Sequence, residues 1–195
     1  MMDMPLDRTL ELDDDALLLQ FARGDARAAE VLTARLTPVV LAHAYRLLGD
    51  RAEAEDVAQE SLLKLWRIAP EWRRGEAKVT TWLYRVVANA ATDRLRKRRM
   101  VDIASVAEPE DGAPSALERM QERARVDALQ AALNGLPERQ RQAVVLRHIE
   151  GLANPEIGEI MDVKVEAVES LVARGKRALK AALEGRKEEL GYEDD

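Results

Sequence analysis

Cysteine does not occur anywhere in the 195 residues, which removes disulfides, thiol chemistry and cysteine-ligated zinc. Aromatic residues make up only 4% of the chain, with a single Phe. Any core must therefore be built from Leu, Val, Ile and Ala. The two histidines, His43 and His148, lie far apart, and neither stands in a His-Glu-x-x-His pattern, so no metal is expected. A Gly-rich phosphate loop and a nucleophile elbow are also missing, which argues against an enzyme and against a bound cofactor. No apolar run approaches the ~18 residues needed to span a bilayer, and the acidic N-terminus is unlike a signal peptide. The expectation is a soluble, cytoplasmic protein with no membrane insertion.

What the chain does contain favours helix. Hydrophobic residues at 47% are enough for cores, and abundant Leu, Ala, Glu, Arg and Gln with little β-branched alternation point to an all-α fold. The net charge of −6 hides an uneven distribution. Acids crowd both ends, including Asp13 to Asp15 and Glu193 to Asp195. Bases gather at Arg94, Arg96, Lys97, Arg98 and Arg99, and again at Arg174, Lys176, Arg177 and Lys180. Local potential, not net charge, steers a phosphate backbone. Two basic patches are the signal.

The punctuation divides the chain into two small helical domains joined by a flexible acidic linker. Residues 1–12 read as a flexible tail, and 13–99 as a first helical domain. The stretch 100–114 reads as linker, because Pro109, Gly112 and Pro114 sit among acids with no periodic apolar face. Residues 115–186 read as a second domain and 187–195 as an acidic tail. In the first domain, Asp13 to Asp15 mark an acid-capped helix start, and Gly24-Asp25 ends that helix. A second helical run carries Val31, Leu32 and Leu36, and Pro38 begins or bends a third that ends near Gly49. Asp50 to Glu53 has capping-box spacing. From there Ala54, Val57, Ala58, Ser61, Leu62 and Leu65 share one inward face at steps of three and four. Residues 67–79 read as a loop, and a further helix runs from about Thr80 to Arg99.

In the second domain a helix is expected from Ser115 to Leu133 and another from Pro137 to Ile149. Asn154-Pro155 reads as a cap followed by proline at the first position of a short helix through Met161. A turn at Asp162 to Lys164 leads into a last helix from Val165 to about Leu183. Short helix, tight turn and longer helix have the proportions of a helix-turn-helix. Val165, Val168, Val172, Gly175 and Leu179 form its buried stripe. Glu166, Glu169, Ser170, Ala173, Arg174, Arg177 and Lys180 form the opposite stripe, suited to a major groove, with phosphate contacts toward its basic C-terminal half. An ordinary amphipathic hairpin with a solvated face fits this segment equally well.

On the helix from Thr80, Arg85, Asn89, Thr92, Arg96 and Arg99 recur at steps of four and three, so they share one side. Guanidinium, amide and hydroxyl groups in a row suit a nucleic-acid strand. Trp72, beside Arg73 and Arg74 in the preceding loop, has the chemistry to stack on an unstacked base. Trp82 is assigned to the core. The helix before that loop exposes Asp56, Gln59, Glu60 and Leu63, with Trp66 one step on, acids beside apolar groups that fit a basic helical protein partner, and an ordinary solvated face with two stray hydrophobes fits them equally well.

The run Gly49 to Glu60 with Leu65-Trp66, then Thr81 to Asn89, Leu136 to Arg141, Glu156-Ile157 and the Val165 to Leu179 helix, in this order and spacing, resembles the extracytoplasmic-function sigma factors of the sigma-70 family. The resemblance covers about Asp14 to Leu183. It implies a subunit, not an enzyme, that directs RNA polymerase core to promoters, is stress-responsive, and has an anti-sigma factor as regulator. It further implies that Asp56, Gln59, Glu60 and Leu63 meet the polymerase core, formed by its beta and beta-prime subunits. Trp72, Arg85, Asn89, Thr92 and Arg96 would take the −10 element of promoter DNA. Lys164, Glu169, Ser170, Ala173, Arg174 and Arg177 would face the −35 element. One departure stands out. The family's recognition helix often begins Gly-Thr-Val-Lys-Ser-Arg, whereas here Glu166-Ala167-Val168-Glu169-Ser170-Leu171 occupies those positions. A glutamate there cannot bind phosphate but accepts from cytosine N4. Gly175, where Ala is usual, lowers helix propensity by ~1 kcal/mol.

Two other classes remain open on sequence. A helix-turn-helix regulator would bind duplex DNA without polymerase, but the N-terminal half shows no ligand pocket signature. A mimic that only occupies an anti-sigma factor would have no use for the Arg85–Asn89–Thr92–Arg96 row.

Overall fold

A computed structural model describes residues 11–101 and 117–184, where there are eight α-helices and no strand. The expected linker from 102 onward, the first ten residues of the expected N-terminal tail and the acidic tail at 187–195 lie outside the described residues. None of the described helices is long and apolar enough to cross a membrane. Two compact units emerge. One comprises residues up to Tyr45 with Asp50–Asn89, the other Arg46–Gly49 with Ala90 onward.

In the first unit, α1 spans Asp14–Ala22. Asp13 is its N-cap, and its Oδ1 accepts from the Ala16 N–H at 2.7 Å. Gly24, with φ at +92°, turns the chain, and Asp25 Oδ1 accepts from the Arg27 and Ala28 amides to open the next helix. That helix, α2, runs unbroken over Ala26–Leu48 with Pro38 inside it. The expectation that Pro38 would begin a separate helix is therefore corrected. Proline in a helix interior deprives the carbonyl four residues earlier of its donor. Here Pro38 is exposed and that carbonyl belongs to exposed Ala34, where water can replace the lost bond. Buried Leu36 and Val40 on either side hold the two halves in register against the core.

Helix α3 spans Arg51–Ile68, with Asp50 Oδ1 accepting from the Glu53 N–H at 2.9 Å. Its buried residues are Ala54, Val57, Ala58, Ser61, Leu62 and Leu65, the face expected from spacing. The Ser61 hydroxyl satisfies itself by donating to the Val57 carbonyl. A short 3-10 turn over Ala69–Glu71 and a loop follow, and α4 covers Val79–Val101. On α4 the buried residues are Val79, Leu83, Tyr84, Val87, Ala88 and Ala91. Tyr84 packs against fully buried His43, ring centroids 4.6 Å apart, and Phe21 meets Trp66 edge-on at 4.8 Å. Each fully buried Leu or Val here contributes roughly 1.5–3 kcal/mol relative to exposure, which offsets the scarcity of aromatic mass.

The second unit contains α5 (Leu117–Asn134), α6 (Glu138–Val144), α7 (Asn154–Met161) and α8 (Val165–Glu184). The Arg141 guanidinium donates to the carbonyls of Asn134 and Leu136, covering the end of α5. Beyond Val144 the helix widens into a π turn over Val145–Ile149, with the Glu150 N–H donating to the Val145 carbonyl five residues back. Six successive residues, Arg141 to Leu146, are buried there, so this element is enclosed on all sides and no amphipathic period marks it. The N-cap of α7 is Ala153, not Asn154. Glu156 accepts from the Ala153 N–H at 2.9 Å, and Pro155 follows at the second helical position. That one-residue shift is within the ordinary spread of helix boundaries.

Candidate nucleic-acid and polymerase interface

The helix-turn-helix depends on two close approaches. Asp162 closes α7 in the left-handed conformation, with φ at +52°. Gly158 lies so near the turn that a Cβ there would stand 2.9 Å from the Val163 carbonyl oxygen. Gly175 of α8 presses on α6. A Cβ at that position would stand 2.5 Å from Val144 Cγ2 and 3.1 Å from the Gln140 carbonyl oxygen. Its glycine is therefore a packing requirement, and the propensity penalty noted above is the lesser effect. Val168 and Gly175 are buried and Val172 and Leu179 partly so, but Val165 is 37% exposed, which removes it from the expected buried stripe. At the first residue of α8 there is not yet a full turn of helix to lean on α6 or α7.

The outward side of α8 carries Glu166, Glu169, Ser170, Ala173, Arg174, Arg177 and Lys180, all exposed, and Lys164 is exposed in the turn before it. Arg174 is held along the helix by its own neighbour. Its Nη2 donates to Ser170 Oγ at 2.8 Å and its Nε to the Ser170 carbonyl at 3.2 Å. The arginine fork is thus aligned beside Ser170. Glu169 lies one residue from Ser170, so an anionic and a cationic side chain share the exposed side of α8.

On α4, Arg85, Asn89, Thr92, Arg96 and Arg99 are all exposed. The row is not free of acid, because Asp93 accepts from Arg96 Nη2 at 2.9 Å. That exposed pair costs little to break, so Arg96 remains exchangeable to a phosphate. Trp82 belongs to this row, as its spacing of three to Arg85 and seven to Asn89 shows. It is half-buried rather than a core residue and meets Trp72 edge-on, centroids 6.2 Å apart. The two indoles line a cavity of about 290 Å³ with Ile68, Glu71, Arg73, Glu76 and Ala77. That volume lies near the lower end of the ~300–1,000 Å³ of small-ligand pockets, room for one planar base and too little for a duplex. The steps 82–85–89–92–96 were legible in the sequence, but Trp82 alone was assigned inward.

Reasoning from sequence also missed what the N-terminal aspartates do. Asp15 Oδ1 accepts from Trp72 Nε1 at 3.3 Å. Asp13 Oδ2 accepts from Arg74 Nη2 at 2.5 Å, and Asp14 lies 3.4 Å from Arg35 Nη1. The Ala16 amide, aided by Arg74 and opposed by desolvation, holds the Asp13 carboxyl below its ordinary range. These pairs join residues 57, 61 and 21 positions apart, and no local pattern announces them.

On α3, Asp56, Gln59, Glu60 and Leu63 are exposed on the side opposite the core, with Leu63 at 47%. Carboxylates around an exposed leucine make a surface for a basic, partly apolar helix.

Residues 32–100 match Sigma-70 region 2, and residues 127–179 match Sigma-70 region 4. The ECF RNA polymerase sigma factor SigE of Mycolicibacterium smegmatis is 36% identical over 141 residues, which are 70% of this chain and 54% of that protein. The RNA polymerase sigma-H factor of Pseudomonas aeruginosa is 33% identical over 182 residues, 88% of this chain and 94% of that one. Among solved structures, CnrH in complex with the cytosolic domain of CnrY superposes with a TM-score of 0.63 at 28% identity, covering 88% of this chain and 97% of CnrH. With α3, nearly all of α4 and most of the helix-turn-helix falling inside the two matched regions, the chain belongs to the extracytoplasmic-function RNA polymerase sigma factors of the sigma-70 family.

Proposed function

We propose that this chain joins RNA polymerase core in the cytoplasm through α3 and directs it to promoters. In this reading α4 and the loop before it take the −10 element, while α8 takes the −35 element. Residues 13–99 form the core-binding and −10 domain, 115–186 the −35 domain, and 100–114 the tether. The observation that carries the reading is the Trp72–Trp82 cavity at the head of the exposed row Arg85, Asn89, Thr92 and Arg96. A base lifted from the stack finds two aromatic walls, and the strand that carries it finds guanidinium, amide and hydroxyl groups along the next four turns. Capture of single-strand bases offsets unstacking of a few kcal/mol, so melting is driven by binding and not by bond chemistry. Asp56, Gln59, Glu60 and Leu63 supply the polymerase contact. CnrH, to which this chain is similar, is solved in complex with the cytosolic domain of CnrY, which supports regulation by a bound protein partner, and the partner proposed for this chain is an anti-sigma factor.

Two variants separate the roles. Asn89→Ala is expected to lower −10 base discrimination on fork-junction DNA while leaving affinity for core polymerase intact. Gln59→Ala combined with Glu60→Ala is expected to lower core affinity. Loss of core affinity in the first variant, or full core affinity in the second, overturns the assignment.

A further inference from the structure

We infer that Asp13 and Asp15 are positioning residues for −10 recognition: α1 latches the α3–α4 loop and fixes the Trp72 indole in the wall of its cavity. This rests on the reading of that loop given above.

The loop is held unevenly. On its first side the Ala69–Glu71 turn is anchored by buried Ala69, and the Trp72 N–H donates to the Ala69 carbonyl at 3.2 Å. From Arg73 to Lys78 every residue is exposed. Within that stretch Gly75 has φ at +92°, and Arg73 and Glu76 form only a local pair at 3.6 Å. Two side chains of the loop hydrogen-bond to the start of α1, Trp72 Nε1 donating to Asp15 and Arg74 Nη2 to Asp13, while the Trp72 ring also meets Trp82 of α4 edge-on. The start of α1 is itself tied to α2, because Arg35 Nη1 donates to the Leu12 carbonyl at 2.7 Å and approaches Asp14. Three consecutive aspartates thus have separate duties: cap and Arg74, Arg35, and Trp72.

The consequence is directional. An indole fixed through its N–H presents the same ring face each time, so the captured base meets a preformed wall and loses less free energy to ordering it. A freed indole still stacks, because stacking tolerates any base, but it no longer favours one base by its orientation. Loss of the latch therefore lowers selectivity more than it lowers total binding.

The test uses holoenzyme assembled from core polymerase and the full chain. The probe is a fork-junction DNA from a promoter that this holoenzyme transcribes, with each of the four bases in turn at the unpaired −10 positions. Asp15→Ala is expected to reduce the preference for the favoured base about fivefold, with core affinity and −35 duplex binding unchanged. Asp15→Asn keeps an acceptor for the indole N–H and is expected to restore the preference. Asp13→Ser keeps a capping oxygen but is too short for Arg74, and its expected loss is smaller. Wild-type selectivity in Asp15→Ala, alongside lost selectivity in Trp72→Ala, overturns the latch and leaves the loop reading standing. Wild-type selectivity in Trp72→Ala overturns the loop reading itself. Equal damage in Asp15→Asn and Asp15→Ala, or tighter binding of every base by both, shows a charge effect and also overturns the latch.

Discussion

Replacing Gly175 by alanine sets two known magnitudes against each other at one atom. Exchanging glycine for alanine inside a helix stabilises it by ~1 kcal/mol through propensity. At this position the new methyl meets Val144 Cγ2 at 2.5 Å, the Gln140 carbonyl oxygen at 3.1 Å and Gln140 Cβ at 3.3 Å. Val144 is 1% exposed and β-branched on a helix, so it has neither space nor an alternative rotamer to retreat into. The Gln140 oxygen is backbone and moves only if α6 moves. Overpacking of this kind costs about 1–3 kcal/mol, so the expected net effect is a loss of about 1 kcal/mol. For a unit of this size that lowers the melting temperature by roughly 4–8 °C. Calorimetry on the full chain reads it directly. In the double variant Gly175→Ala with Val144→Ala, the tightest contact, that with Val144 Cγ2, is gone, the approach to Gln140 remains, and part of the propensity gain returns. The double should therefore be less damaged than the sum of the singles by about 1 kcal/mol. A rise in melting temperature for Gly175→Ala, or strict additivity in the double, would refute the close packing of α8 on α6.

Glu169→Lys exchanges an anion for a cation on the exposed side of α8, and binding to −35 duplex should then steepen its dependence on log salt by about one; an unchanged slope would take Glu169 away from the DNA. Glu169→Ala should relax any preference for cytosine at one −35 position, read by competition among duplexes. His148 is held below the usual 6.5 by partial burial first, then by Lys176 and Arg147. Because the unfolded chain takes up that proton more readily, stability present above pH 6.5 is lost as pH falls through the folded value. A proton titration followed by NMR should find the midpoint below 6.5 and should find it raised in Lys176→Met; a midpoint at or above 6.5 contradicts the assignment.

Much of the fold was legible because local rules governed it. The inward face of α3 came out residue by residue from its three-and-four spacing, and Asp13 and Asp50 stand at helix starts where an oxygen acceptor is wanted, whereas Asp25, read only as a helix end, also caps α2. What the sequence concealed was decided by neighbours. Pro38 stays inside α2 because its lost bond falls on an exposed stretch. Residues 141–146 are buried all round, so they show no period, and their π turn has no local signature. Gly175 looks like a weak helix residue until Val144 is placed beside it. Of the candidate site, the exposed groups on α3, α4 and α8 were identified by periodicity, whereas Trp82 was assigned to the core despite its register with Arg85 and Asn89. The tie between Asp15 and Trp72 spans 57 positions, and no spacing rule reaches that far.

The most direct measurement is transcription by purified core polymerase on a library of promoter fragments, with and without the full chain, mapping where each transcript begins. New, discrete start sites should depend on the chain, weaken with Gln59→Ala plus Glu60→Ala, and lose their −10 sequence preference with Asn89→Ala. An identical set of starts with and without the chain would contradict the proposed function.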